Sequence, residues 1–276
     1  MSFVLDCAGR PLDLQRPRVM GVLNVTPDSF SDGGDFLGCD KALQRARQMV
    51  AEGVDIIDVG GESTRPNADR VSLQEELDRV IPVIELLAAE VSVPISIDTS
   101  KAEVMGAALA AGAGLINDVN ALRAKDALAI AAKSSVPICL MHMQGTPSTM
   151  QDSPLYDDIV SEVETFLLGR IAACESAGIS RERLILDPGF GFGKSLVHNL
   201  ALFNGLSRFV EMGLPVLVGV SKKTMIGEVL RAPIEARAAG GLVLATLALQ
   251  VGASIIRTHD VKATADAVAI CEALRK

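Results

Sequence analysis

The sequence predicts an α/β fold, specifically a single (β/α)8 barrel. Eight short apolar runs rich in Val and Ile recur along the 276 residues, and segments with helical spacing separate them. The runs are apolar almost throughout, as expected for parallel strands that are buried on both faces. They cover residues 19–26, 55–61, 94–100, 114–119, 137–143, 183–189, 215–221 and 253–260.

The segments between these runs are predicted to be amphipathic helices. In residues 155–178, apolar side chains form one stripe, and Asp, Glu and Arg lie on the opposite side. Many of the segments end with a glycine, which permits the left-handed C-cap that turns the chain into the next strand. The predicted helices span residues 40–52, 72–90, 101–111, 124–134, 155–178, 195–212, 235–251 and 261–275.

Since no low-complexity tract or Pro/Ser-rich linker interrupts this pattern, residues 19–276 are predicted to form one domain. Residues 1–18 precede the first strand and are expected to form an N-terminal extension, a small hairpin that closes the bottom of the barrel. A doubly wound open sheet is the alternative, although such a sheet usually has fewer strands.

Composition excludes several classes of partner. The net charge of -8 argues against a nucleic-acid partner and gives no general attraction to acidic lipids, but it leaves an anionic small molecule possible. The five cysteines are scattered without a CxxC pair, which is typical of reduced thiols in the cytosol. Residues 1–10 do not resemble a secretory signal, and the apolar stretch 242–251 is too short to span a membrane. We therefore expect a cytoplasmic protein.

Polar residues end or directly follow nearly every predicted strand. In a (β/α)8 barrel the carboxyl ends of the strands meet at one mouth, where active sites are built. A single buried Asp or Asn could be a structural group with satisfied hydrogen bonds, but here the pattern repeats at the same end of all the strands. These residues predict a site and comprise Asn24, Asp58, Asp98, Asn117, Asp118, His142, Asp187, Ser221, Lys222, Lys223, Arg257 and His259.

The predicted mouth divides by charge into two parts. Asp98, Asn117 and Asp187 suit a planar heterocycle with several N–H groups, because a carboxylate can accept two parallel N–H bonds. A second set of residues is cationic and suits phosphate, and helix N-termini add partial positive charge at the same face. These cations are Arg65, Lys222, Lys223, Arg257 and His259.

The stretch DPGFGFGKS, residues 187–195, superficially suggests a nucleotide-binding loop. A P-loop requires a glycine five positions before its Gly-Lys pair, and that position is occupied by Pro188. The dinucleotide fingerprint also fails, because Lys194 stands where its third glycine is required. We expect Lys194 to be exposed to solvent and to have no role in the site.

Seven motifs together resemble the dihydropteroate synthase family. They run from residue 21 to residue 261 and so cover nearly the whole chain. The resemblance implies a (β/α)8 barrel that joins 6-hydroxymethyl-7,8-dihydropterin diphosphate to 4-aminobenzoate, with Mg²⁺ as cofactor, and that forms a homodimer. The motifs are GVLNVTPDSFSDGG (21–34), DVGGESTRP (58–66), DTSK (98–101), NDV (117–119), LMHMQGTP (140–147), LDPGFGFGK (186–194) and SIIRTHDV (254–261).

The resemblance also implies a role for individual residues. The pterin would be bound by Asp98, Asn117, Asp187, Lys223 and Arg257. The diphosphate would be bound by Asn24, Thr64, Arg65, Arg257 and His259, with Asn24 beside the Mg²⁺ ion. The 4-aminobenzoate pocket would be formed by Phe30, Thr64, Pro66, Phe192 and Ser221. Arg65, Lys223, Arg257 and His259 would be the catalytic residues, assisting a cation-like cleavage of the C–O bond.

Two positions depart from the family pattern. Lys222 stands where arginine is usual, so the charge is kept but the planar fork is lost. Asn67 stands where glycine is usual, and asparagine tolerates the left-handed backbone better than most residues. Neither departure removes a residue that is predicted to bind a ligand. Asp58 and His142 also lie at the predicted mouth, but the resemblance assigns no role to either residue.

Two other functions remain as alternatives. A pterin-binding methyltransferase would share the barrel and the Asp/Asn pocket, but a methyl donor without diphosphate would need no cation set around Arg257 and His259. A non-catalytic pterin-binding relative is the second alternative, and an assay of pyrophosphate release would exclude or establish it.

Overall fold

The computed structural model describes residues 4–25, 34–63, 71–146 and 149–275. An antiparallel hairpin of β1 (Val4–Cys7) and β2 (Arg10–Asp13) comes first. A single eight-stranded parallel sheet follows. Its strands are β3 (Arg18–Asn24), β4 (Ile56–Gly60), β5 (Ile95–Asp98), β6 (Leu115–Asp118), β7 (Ile138–Met141), β8 (Leu184–Asp187), β9 (Leu217–Val218) and β10 (Ile255–Thr258).

The sheet curls into a barrel. The strand order is β8-β7-β6-β5-β4-β3-β10-β9, and a parallel bridge between Leu186 and Val216 joins the two outer strands. The Leu186 amide also donates to the carbonyl of Pro215 at 2.9 Å. The predicted (β/α)8 barrel is therefore confirmed in place of the doubly wound open sheet. Each strand lies within its predicted run except β3, which begins one residue earlier, at Arg18.

Helices cover the outside of the barrel. They are α1 (Gly34–Ala51), α2 (Leu73–Glu90), α3 (Ala102–Ala110), α4 (Ala127–Lys133), α5 (Ile159–Ser176), α6 (Leu196–Asn204), α7 (Leu206–Glu211), α8 (Thr224–Leu230), α9 (Ala238–Val251) and α10 (Val261–Leu274). The predicted helix 195–212 is two helices that meet at Gly205, where a Cβ atom would lie 2.7 Å from a methyl carbon of Val160. Close packing against α5 thus interrupts the helix there, and α8 was not predicted.

Glycines connect helices to strands as expected. Gly53, Gly112, Gly178, Gly213 and Gly252 follow helices and have φ between 76° and 115°, a region that side chains with a Cβ rarely adopt.

The hairpin closes the amino-terminal end of the barrel. Its Leu5, Cys7 and Leu12 side chains pack in one cluster with residues inside the barrel, among them Met20 and Cys139. A Cβ atom on Gly114 would lie 2.4 Å from the carbonyl oxygen of Cys7, so the contact requires glycine at the start of β6. The expected hairpin is confirmed, and the opposite end of the barrel is left for the site.

Two further findings concern the composition arguments. The described residues include all five cysteines, and none of them is joined in a disulfide. Among the described residues, none of the helices combines the length and the hydrophobicity that crossing a bilayer requires.

Candidate active site

The carboxyl ends of the strands bring the predicted polar residues together. Parallel pairing aligns Gly60 with Asp98 and Asp98 with Asn117, so β4, β5 and β6 end at one level. Asp187 pairs with Met141 at the end of β8. Asp98 is half-buried, and Asn117 and Asp187 are buried. Because each strand is short and nearly wholly buried, few positions other than these ends can present a polar side chain to the mouth.

Arg257 on β10 is the centre of a cluster of buried charges. Its Nε donates to Asp58 Oδ2 at 2.6 Å, and its Nη2 donates to Asp98 Oδ2 at 2.6 Å. Asn117 Nδ2 donates to the same Asp58 oxygen at 3.1 Å. Asp58, which sequence analysis left without a role, therefore holds two of the predicted pterin ligands in place.

The electrostatics of the cluster follow from its charge count, two carboxylates against one guanidinium. Burial opposes the charge of Arg257, but Asp58 and Asp98 outweigh this effect and raise the pKa of the guanidinium. Burial raises the pKa of Asp98 to about 7, because Arg257 offsets only part of the desolvation and Asp58 adds to it. The cluster therefore favours a further hydrogen-bond donor or positive charge.

Two oxygens of the cluster are ready to accept hydrogen bonds. Within the described part of the chain, Oδ1 of Asp58 and Oδ1 of Asp98 are buried and have no hydrogen-bond partner. An unpartnered buried acceptor costs about 1–3 kcal/mol, and such groups are rare in native structures. A ligand N–H bound at this position would remove the cost.

Asp187 and Lys223 lie on the other side of the mouth. Asp187 Oδ1 accepts from the Gly189 amide at 2.7 Å, and burial raises the pKa of this carboxyl group. Lys223, at the start of α8, places its Nζ 4.1 Å from the centre of the Phe192 ring. Burial and the nearby charge of Arg257 lower the pKa of Lys223 to about 8.

Asn24 and His259, two of the predicted anion-binding residues, also lie at the carboxyl ends of barrel strands. A Cβ atom on Gly60 would lie 3.7 Å from Asn24 Oδ1 and 3.6 Å from Asp98 Cβ, so the Asn24 amide is next to the end of β5. Ser221 Oγ accepts from the His259 amide at 3.2 Å and lies 3.1 Å from His259 Nδ1. His259 follows Arg257 by two residues, which is the spacing of side chains on one face of a strand.

The glycine loop, residues 188–193, surrounds the side chain of Lys194. Lys194 is only 3% exposed, and its Nζ lies 2.9 Å from His142 Nδ1. The same Nζ donates to the carbonyl oxygens of Gly189 at 2.9 Å and Phe192 at 3.0 Å. The expectation that Lys194 is exposed to solvent was wrong. The residues of the loop turn their carbonyl groups inward, so they solvate the ammonium group in place of water.

Some predicted residues cannot be placed. Phe30, Thr64, Arg65, Pro66 and Asn67 lie outside the described residues.

Lys222 is described, and its φ of 58° is in the left-handed region. The carbonyl oxygen of Lys222 accepts from Arg237 Nη1 at 3.3 Å.

Comparison with known proteins agrees with this geometry. Residues 20–259 match the family described as pterin binding enzyme. The dihydropteroate synthase of Escherichia coli (strain K12) is 52% identical over 269 residues, which is 98% of this chain and 95% of that protein. The chain belongs to the dihydropteroate synthase family. A member of this family is a transferase, and the resemblance inferred from the seven motifs is confirmed.

Solved structures of the dihydropteroate synthase family agree over the whole fold. The Xanthomonas albilineans enzyme with 4-aminobenzoic acid superposes with a TM-score of 0.94 at 53% identity, covering 100% of this chain and 99% of that one. The enzyme from the same organism in complex with 7,8-dihydropteroate has a TM-score of 0.90 at 50% identity, covering 99% and 98% of the two chains. The barrel of this chain is that of a dihydropteroate synthase, and the methyltransferase alternative is not supported.

Proposed function

We propose that the chain condenses 6-hydroxymethyl-7,8-dihydropterin diphosphate with 4-aminobenzoate at the mouth of the barrel, giving 7,8-dihydropteroate and pyrophosphate. The observation that carries the proposal is the buried cluster of Arg257 with Asp58 and Asp98, in which Asp98 Oδ1 has no partner among the described residues. A dihydropterin has the N–H donors that this oxygen lacks.

In this proposal the acidic side of the mouth binds the pterin. Asp98 and Asp187 accept from ring N–H and amino groups, and Asn117 adds an amide whose Nδ2 is already committed to Asp58. The Asn117 carbonyl oxygen would accept from the ligand in this proposal. Lys223 donates to the oxygen of the pterin, and the guanidinium plane of Arg257 stacks on the ring.

The cationic side of the mouth binds the diphosphate. Arg257 lies on β10 and His259 directly follows the end of this strand, and both would donate to phosphate oxygens. Asn24 would donate or accept beside them. Thr64 and Arg65 complete this set in the proposal, and they lie outside the described residues.

The fit of Mg²⁺ to this chain rests on Asn24. Among the described residues no group of three or more His, Cys, Asp or Glu side chains could hold a metal ion. Mg²⁺ commonly keeps one or two protein oxygen ligands and takes the others from substrate phosphates and water, so the Asn24 carbonyl oxygen fits such an ion. When bound, the ion would supply positive charge to the departing pyrophosphate.

Catalysis in this proposal is mainly stabilisation of the leaving charge. The bond between the exocyclic methylene carbon and the diphosphate oxygen breaks, and its electron pair leaves with pyrophosphate. Ring electrons delocalise the positive charge on the carbon until the amine of 4-aminobenzoate attacks it and loses a proton. Arg65, Arg257, His259 and Asn24 are the residues proposed to hold the leaving charge, so no strong general base is required.

The 4-aminobenzoate pocket is proposed beside the glycine loop. Phe192 is buried below the Lys223 ammonium group, and Ser221 Oγ is held by the backbone amide of His259. Phe30, Thr64 and Pro66 belong to the same proposed pocket and lie outside the described residues.

A homodimer is proposed through α9 and α10. Val243 is 58% exposed and Leu247 is 48% exposed on α9, while Ile270 is 64% exposed and Leu274 is 76% exposed on α10. Contiguous exposed apolar side chains of this kind are typical of an interface. The five cysteines, which form no disulfide among the described residues, support the further proposal of a reducing, cytoplasmic location. Light scattering coupled to size exclusion would test the dimer.

A coupled assay of pyrophosphate release tests the proposed reaction. We expect release when pterin diphosphate and 4-aminobenzoate are both present, and dihydropteroate in an amount equal to the pyrophosphate. A non-catalytic pterin-binding protein would bind the pterin diphosphate and release no pyrophosphate under the same conditions.

A further inference from the structure

The glycine loop lies close against the chain that follows β7. A Cβ atom on Gly189 would lie 1.9 Å from the carbonyl oxygen of His142, and one on Gly193 would lie 2.5 Å from the carbonyl oxygen of Gln144. Gly189, Gly191 and Gly193 have φ values of 73°, 80° and 63°. Glycine is therefore required both for the left-handed backbone and for the close approach.

Lys194 occupies the space enclosed by this loop. Its Nζ reaches the carbonyl oxygens of Gly189 and Phe192 and the Nδ1 atom of His142, at 2.9, 3.0 and 2.9 Å. The carbonyl oxygen of His142 is a fourth and longer contact at 3.4 Å, so the three donors of the ammonium group are surrounded by acceptors. His142 must therefore accept through Nδ1, and burial together with the charge of Lys194 lowers its pKa to about 2, which keeps the ring neutral.

The two carbonyl groups that Lys194 binds belong to peptides next to proposed ligands. Gly189 donates its amide to Asp187 Oδ1 at 2.7 Å while its carbonyl oxygen accepts from Lys194. The Phe192 carbonyl accepts from Lys194 while the Phe192 ring lies against Lys223. The Lys194 ammonium group thus holds both Gly189, which donates to Asp187, and Phe192, whose ring lies against Lys223.

We propose that Lys194 is a positioning residue of the pterin site: its buried ammonium group fixes the glycine loop, so that the Asp187 carboxylate and the Phe192 ring keep the orientation in which they meet substrate. The inference rests on the proposed role of Asp187 in binding the pterin. Lys194 itself faces backbone carbonyl groups and not the mouth, so it acts through these residues.

Isothermal titration of 6-hydroxymethyl-7,8-dihydropterin diphosphate, without 4-aminobenzoate, tests the proposal. Lys194→Met keeps the length of the aliphatic chain and removes the donors. We expect its Kd to rise about tenfold or more relative to the unmodified protein, because several charge-assisted bonds to the loop are lost. Lys262→Met is the matched control, since Lys262 is 66% exposed on α10, and its Kd should stay within about twofold.

Thermal unfolding, measured on the same samples, separates positioning from a purely structural role. A purely structural role would lower Tm and leave the Kd at a temperature well below Tm unchanged, and this result would overturn the proposal. If Lys194→Met does not fold, Lys194→Gln replaces it, because an amide can still donate to the two carbonyl groups. The Kd of Lys194→Gln should then rise by about three- to tenfold, and an unchanged Kd would again overturn the proposal.

A second pair of measurements distinguishes this inference from the proposed function. Asp187→Asn should weaken binding of the same ligand at least about tenfold. Normal binding by Asp187→Asn would refute the proposed pterin site itself. Weak binding by Asp187→Asn with normal binding by Lys194→Met would refute the role of Lys194 alone.

Discussion

Two cations at or near the barrel mouth, the half-buried Arg257 and the buried Lys194, are stabilised in different ways. Arg257 is paired with the carboxylates of Asp58 and Asp98, both carried by neighbouring barrel strands. Lys194 is surrounded by carbonyl oxygens and a neutral imidazole ring. The carboxyl groups of Asp58 and Asp98 raise the pKa of Arg257 in spite of its burial, whereas burial, only partly offset by Asp187, lowers the pKa of Lys194 to about 7.

The different surroundings of Arg257 and Lys194 suit the two cations to different roles. Carboxylates on rigid strands keep Arg257 fully charged next to the ligand, where a diphosphate group needs a permanent cation. Backbone carbonyl groups have no net charge, so they fix Lys194 by the geometry of its hydrogen bonds and not by ion pairing. We infer that the strands supply the electrostatics of the site and that the glycine loop supplies its shape.

The largest expected effect comes from removing the strand-paired cation. Arg257→Ala should lower kcat about a hundredfold or more, because it removes a donor from the leaving diphosphate and leaves two buried carboxylates without their partner. Steady-state pyrophosphate release measures this. Near-normal turnover would refute the assignment of Arg257.

The next prediction concerns the partner of Arg257. Asp58→Asn removes the buried charge that orients Arg257 Nε and accepts from Asn117, so kcat/KM for the pterin diphosphate should fall about tenfold to a hundredfold. Asp266→Asn is a matched control on α10, where Asp266 is 61% exposed, and it should leave kcat/KM unchanged. An equal response of the two variants would mean that Asp58 has no positioning role.

The fold could be predicted from the sequence further than the site could. Buried parallel strands are apolar throughout, so eight runs and their glycine caps were visible in the order of residues alone. The break at Gly205 was not visible, because Val160 lies in another helix. The burial of Lys194 and the role of Asp58 could not be predicted either, because their partners are distant in the sequence. His142 is 52 positions from Lys194, and Arg257 is 199 positions from Asp58.

The pH dependence of the free energy of unfolding should distinguish Lys194 from Arg257. The folded-state pKa of Lys194, about 7, lies below that of an unfolded lysine, so the unfolded chain binds more protons between these values. The free energy of unfolding of the unmodified protein should therefore rise relative to that of Lys194→Met as pH increases from about 7 toward 10. Urea denaturation at several pH values measures the difference, and a constant difference would contradict the buried, titrating lysine.

The smallest effect is expected at Lys222. Lys222→Arg introduces the arginine that the family resemblance implies and keeps the charge, while the Arg237 guanidinium donates to the backbone carbonyl of this residue. Both KM values should change by less than about threefold. A gain of tenfold or more would show that the planar fork of arginine has a contact that Lys222 cannot make.

A crystal structure of this chain with 7,8-dihydropteroate tests the central claim most directly. We expect a pterin nitrogen within about 3.2 Å of Asp98 Oδ1 and a second within the same distance of the Asp187 carboxylate. A pterin ring bound elsewhere, with the Asp98 oxygen still lacking a donor, would contradict it.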